Sequence, residues 1–285
     1  MDIAVLIPSD RHVDGVVEML LDATQNHTRT LSADRLFGWH AALFPTGRSG
    51  MYTKTVGNWR NHKKEDPMQV VSGAKGREIV HFVAPEAERL EEEMNRFIHW
   101  FNEDQSMDPI LKAAIAHLWF VTIHPFDDGN GRIARAIAEL QLSRADESAQ
   151  RFYSMSAQIR KERKGYYEIL EHTQKGSMDI TDWLNWFLNC LDHALESSNE
   201  TLSEVLQKAR FWELHANTVL NSRQHQMINR LLDGFEGTLT SSKWAKLTKT
   251  SPDTALRDIT DLLNKKVLVK EVGGGRSTSY GLRVE

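Results

Sequence analysis

Twelve residues, "HPFDDGNGRIAR" at 124–135, bring together side chains whose types and spacing suit one kind of chemistry. Gly129-Asn130-Gly131 can take backbone conformations closed to bulkier residues, so successive N–H groups can converge on one anion. "RIARAIAELQL" follows at once and reads as a helix, whose N-terminus adds free N–H groups and the positive end of a dipole. Arg132 and Arg135 share one face of that helix and together can grip more than one phosphate. Asp128 offers the hard oxygen that Mg²⁺ requires, and His124, with an ordinary pKa of ~6.5, can take a proton at neutral pH. A general base, a metal carboxylate, an anion nest and a cationic clamp suit phosphoryl or nucleotidyl transfer. Each part alone more often serves structure; the combination carries the reading.

The elements around the loop must hold it. "ILKAAIAHLWFVTI" (110–123) is too short to cross a bilayer and contains Lys112 and His117, so it reads as a buried core helix ending at His124. Upstream, Val13, Val16, Val17, Leu20 and Leu21 repeat at helical spacing. A second helix follows the N-cap candidate Ser32 through Leu36, Trp39 and Leu43. "MQVVSG" and "REIVHFV" predict a β-hairpin, and "APEAERLEEEMNRFIHWFN" an amphipathic helix over 84–102. Further helices are expected over 158–174, 179–197 and 199–220.

The stretch 124–135 fits, without departure, H-x-F-x-[DE]-G-N-G-R-x-x-R, and in this it resembles the Fic family of nucleotidyl transferases, which move AMP from ATP to a protein hydroxyl. The resemblance extends over roughly residues 10–200. It implies a mainly α fold: an all-helical core with a β-hairpin flap, plus a C-terminal winged helix-turn-helix as in some bacterial members. Carried over by residue, His124 would deprotonate the target hydroxyl and Phe126 would anchor the loop by packing. Asp128 would hold Mg²⁺. The Gly129–Gly131 backbone and Asn130 would cradle the phosphates, with Arg132 and Arg135 neutralising the leaving end.

The resemblance reaches two other regions. Tyr166 and Tyr167 in "GYYEILE" stand where the family presents tyrosines to adenine, with a buried aromatic pair as the plain structural alternative. The hairpin 68–83 stands where the family has its flap, placing Gly76, Arg77, Glu78 and Ile79 near the nucleotide. Many members restrain themselves with an [ST]-x-x-x-E-[GN] helix whose glutamate pairs with the second arginine of the signature. The sequence shows no such stretch, since Glu236-Gly237 is preceded by Leu232 at the Ser/Thr position. The expectation is an unlatched Arg135, in a chain that is either N-terminally shortened or inhibited by a separate partner.

Composition bounds the rest. With 285 residues, 40% hydrophobic and 26% charged, the chain reads as a soluble protein of one large and one small domain. A single cysteine, Cys190, excludes an internal disulfide and, with no signal-peptide pattern in "MDIAVLIPSD", suggests a cytoplasmic protein without membrane contact. The formal charge is −4 overall, but from Ser222 onward eleven Lys/Arg face seven Asp/Glu. The expected domains are an N-terminal helical segment (1–45), a catalytic core with its hairpin (46–221) and a winged helix (222–285), with 251–265 as recognition helix and 273–279 as wing. DNA and a protein or homodimer partner are equally open to that last domain: Asp253, Asp258 and Asp261 on the expected recognition helix weigh against phosphate contact, while Arg257 could still reach a base edge. Three function classes follow: AMP transfer to a Ser, Thr or Tyr of target proteins, and of the chain itself; the same site used for de-AMPylation or with another nucleotide; and a nucleotide-sensing DNA regulator.

Overall fold

The apolar run at 110–123 folds as α4 (Pro109–Ile123), capped by the Asp108 side chain on the N–H groups of Ile110 and Leu111, with Pro109 in the first turn. Helices with apolar residues all round belong in the middle of a core. Here α4 packs most extensively on α5 (Asn130–Ala145). Alanines 113, 114 and 116 of α4 and 134, 136 and 138 of α5 are all fully buried, and their small side chains let the two backbones approach closely. This computed structural model describes all residues except 1–10, 50–51, 63, 74–75, 105, 150, 272–277 and 284–285.

The chain divides into two units, 1–197 and 198–285. In the first, α1 (Arg11–Gln25) and α2 (Ala33–Leu43) pack on each other and on α5. Ser32 caps α2 through the N–H of Arg35. A two-residue antiparallel pair, β1 (Arg48–Ser49) and β2 (Tyr52–Thr53), was not foreseen from the sequence. The hairpin comes next: β3 (Gln69–Ser72) against β4 (Ile79–Val83), with a register slip between Val70 and Val71. The helix expected over 84–102 opens with a 3₁₀ turn at Ala87–Arg89 before α3 (Leu90–Glu103).

Two expected helix boundaries moved. The segment 158–174 is split into α6 (Met155–Lys161) and α7 (Arg163–Lys175), because Glu162 leaves helical geometry at φ −97°, ψ 25°. Conversely, one helix, α8 (Thr181–Leu214), runs through the expected break near Ser197-Ser198-Asn199. Those residues are weak helix formers, but without Gly or Pro they do not stop a helix.

In the second unit, α9 (Ser222–Leu232), α10 (Ser241–Thr248) and α11 (Pro252–Asn264) precede an antiparallel pair, β5 (Leu268–Lys270) and β6 (Tyr280–Leu282). Ser251 caps α11 through the N–H of Thr254, with Pro252 in the first turn. Trp244, Ile259 and Leu262 lie in its own core, and the Tyr280 N–H donates to Leu239. Most of 273–279, the expected wing, lies outside the described residues. Among the described residues no helix is long and apolar enough to cross a membrane.

Candidate active site

The loop joining α4 to α5 is held from several sides. His124 ends α4 in a left-handed conformation, φ 53° and ψ 56°, which costs a non-glycine residue about 1–3 kcal/mol. Buried Arg60 secures it. Its Nε donates to the His124 carbonyl at 2.7 Å, its Nη2 to Pro85 O at 2.6 Å, and its backbone N–H to Pro125 O at 2.9 Å. Phe126 is fully buried and stacks on His40, with centroids 4.2 Å apart and planes 8° from parallel, while Trp59 packs at 5.1 Å. The His40 Nδ1 accepts from the Gly57 N–H, so its Nε2 carries the proton donated to Asp128 O at 3.2 Å.

The ring of His124 has a defined tautomer. A carbonyl only accepts, so the 3.1 Å contact from Nδ1 to Val121 O makes Nδ1 the protonated nitrogen and leaves the Nε2 lone pair free. Burial lowers the pKa of His124 to about 4, with nearby Arg60 adding to the shift, so the ring is neutral at pH 7 and its Nε2 has a lone pair to accept a proton.

Asn130 serves the loop more than its contents. Its Oδ1 accepts from the Phe126 N–H at 2.9 Å and its Nδ2 donates to Phe126 O at 2.7 Å, leaving the backbone N–H as what it offers an anion. Gly129 sits at φ 84°, and a Cβ there would meet Phe44 at 3.1 Å and Leu43 at 3.3 Å. A Cβ on Gly131 would meet nothing within 4 Å, so packing does not demand glycine there; close approach of a ligand to the backbone would. The N–H groups of Asn130 and Gly131 open α5 without an intrahelical acceptor.

Around this nest, Arg132 lies over the Phe44 ring at 4.9 Å, with its Nη2 3.7 Å from Asp128 Oδ1. Arg135 is half-buried, and among the described residues no carboxylate lies within ion-pair distance of it. Asp128 accepts the Gly129 N–H at 2.6 Å and keeps its side chain 40% exposed. One exposed carboxylate beside a helix N-terminus fits a Mg²⁺ that would take its remaining ligands from a bound nucleotide and water. Among the described residues no three His, Cys, Asp or Glu side chains converge on a metal.

Residues 30–142 match the profile of the Fic/DOC family. They form a Fic domain. Two curated relatives are both called protein adenylyltransferase Fic. The one from Drosophila grimshawi is 35% identical over 105 residues, 36% of this chain and 20% of that protein. The one from Nematostella vectensis is 33% identical over 117 residues, 40% of this chain and 26% of that protein. The match therefore spans only a fifth to a quarter of these relatives' length. In fold, the chain is similar to the crystal structure of a Fic family protein from Desulfovibrio desulfuricans G20, with a TM-score of 0.53 and 19% identity, over 98% of this chain and 77% of that one.

Outside the loop of the Fic domain, the structure separates the two tyrosines. Tyr166 is 3% exposed and bonded to His117 Nε2 at 2.9 Å, whereas Tyr167 is 52% exposed, so only Tyr167 is open to a ligand. In the hairpin, Gly76 (φ 86°) donates its N–H to the Glu78 carboxylate at 2.8 Å, and Arg77, Glu78 and Ile79 are exposed. Sequence reasoning missed Arg60 and His40. Arg60 acts on backbone carbonyls, which no side-chain pattern encodes. His40 had a weak signal, a polar residue between the apolar positions Trp39 and Leu43.

Proposed function

We propose that the chain is a protein adenylyltransferase that moves AMP from ATP to a hydroxyl side chain of a protein target, releasing pyrophosphate. The observation that carries the reading is the α4–α5 junction: a neutral imidazole with a free Nε2 beside a helix N-terminus with open N–H groups and two arginines. His124 Nε2 takes the proton as the target oxygen attacks the α-phosphorus. The N–H groups of 130–131 and Arg132 hold the phosphates, and Arg135 meets the charge of the departing pyrophosphate. Mg²⁺ bound with the nucleotide would take Asp128 as its protein ligand and offset phosphate charge. Tyr167 and residues 76–79 are proposed to flank the base, and the open edges of the β3–β4 hairpin to receive an extended target segment.

Incubation with Mg²⁺, α-labelled ATP and cell lysate tests this. Wild type should label protein, and His124→Ala should lower the rate by about 10²–10⁴-fold. Protein label from γ-labelled but not α-labelled ATP would mean phosphate transfer instead, and no label from either would sink the reading.

For residues 222–285 we propose a winged helix that docks DNA. Two of the three acids that weighed against this are occupied. Asp258 is 5% exposed and held by Arg223 at 2.8 Å and Asn221 at 2.9 Å, while Asp261 bonds Lys265 at 2.5 Å and Gln224 at 2.8 Å. Arg257, Thr260 and Asn264 are left to face a duplex along α11. Binding of duplex DNA that weakens steeply with salt is the expected result; none at low salt would discard it.

A further inference from the structure

Ser72, His81 and Glu171 form a line of short hydrogen bonds outside the α4–α5 loop. Ser72 Oγ lies 2.6 Å from His81 Nε2, and His81 Nδ1 lies 2.6 Å from Glu171 Oε2. In the neutral ring, Nδ1–H donates to the carboxylate and Nε2 accepts from the hydroxyl. That is the order of nucleophile, base and orienting acid that activates a serine. Glu171 is held below the usual carboxylate range by Lys175, at 2.5 Å, and by His81. The register slip supplies the geometry: Val80 pairs with Val71 and Phe82 with Val70, so His81 is the extra residue whose ring is re-aimed.

Two links tie the elements that carry this relay to α4 and the loop. On α7, one turn beyond Glu171, Gln174 donates to Thr122 Oγ1 at 3.1 Å, two residues before His124. At the hairpin's base, Arg60 joins the carbonyls of Pro85 and His124. Ser72 itself is exposed.

We infer that Ser72 is an activated nucleophile and an AMP acceptor, which makes the hairpin a site of self-modification. This rests on the transfer activity proposed above. Ser72 Oγ forms a bond to the α-phosphorus of ATP held at the loop of this chain or a second copy. The bond from that phosphorus to the bridging oxygen breaks, its electrons leave with pyrophosphate, and the hydroxyl proton passes to His81 Nε2 beside the Glu171 carboxylate. The product is a phosphodiester of Ser72 and AMP.

The tryptic peptide of residues 65–75, "EDPMQVVSGAK", contains Ser72 as its only hydroxyl side chain, so an AMP adduct on it assigns the site by mass. The full chain is incubated with Mg²⁺ and ATP in the presence of lysate, and adducts on this peptide and on lysate proteins are followed together. The adduct should be absent from Ser72→Ala and form about 100-fold more slowly in His81→Gln, with lysate labelling changed far less. Because Ser72 has its own base, His124→Ala should slow lysate labelling at least about tenfold more than it slows the adduct. If the hydrogen bonds only pin the hairpin to α7, His81→Gln will slow both acceptors alike, and the inference fails. Labelled lysate with an unmodified peptide would also overturn it, leaving AMP transfer standing. Label on neither would remove the transfer reading and this one with it.

Discussion

The α4–α5 loop and the β3–β4 hairpin belong to one Fic domain but are held in opposite ways. The loop is tied from behind by residues 64 to 88 positions away, Arg60 and His40, and by a buried phenyl ring and a buried asparagine. The hairpin keeps most of its side chains in solvent, with Val71, Ile79, Val80 and Val83 between 41% and 62% exposed, and is fixed by its backbone ladder and the His81–Glu171 contact. Rigid support suits a group that must meet a phosphate within a fraction of an ångström. A loosely supported strand edge suits a partner whose sequence varies, since backbone pairing reads shape before side chains.

The contrast breaks first at Phe126. Phe126→Ala empties the space between His40 and Trp59 and should lower stability by about 3–5 kcal/mol, read from urea midpoints. Arg60→Met should cost about 2–3 kcal/mol, because the carbonyls of Pro85 and His124 lose their donor; the lost transfer activity should exceed the lost stability in proportion.

Acid provides a third test. His117 and His124 are held at about 3 and about 4, both below the ordinary 6.5, chiefly by burial. The unfolded chain therefore binds more protons between those values. Their contribution is fully present above pH 6.5 and is lost as pH falls through 4 and then 3. The urea midpoint should fall steadily from pH 7 to pH 4, and the acid limb of kcat/KM should lie near pH 4, well below 6.5. On the hairpin, Ile79→Thr should shift stability by no more than about 0.5 kcal/mol while raising KM for protein targets. A large stability loss there would erase the distinction between the two regions.

Much of the loop was legible beforehand because its chemistry is local. A histidine at the end of an apolar helix, a glycine pair and arginines three apart on the next helix act through spacing that a few backbone dihedrals set. Helix existence was legible for the same reason, as apolar periodicity is a short-range property. Boundaries were less so. Glu162 breaks a helix without a breaker's side chain, and the Ser197–Asn199 segment, which reads as a break, stays helical within α8.

By itself the sequence determined which groups are candidates: His124 for a base, Asp128 for a hard ligand, the N–H groups at the start of α5 for an anion, and a flanking hairpin. Only the tertiary structure decided which of them remain available. It turned Tyr166 inward and left Tyr167 outside, committed the Asn130 amide to Phe126, set the His124 tautomer through Val121, and brought Glu171 across to His81 and Ser72. The physical reason is that availability depends on burial and on hydrogen-bond partners. Both are supplied by residues remote in the chain, and no local pattern records them.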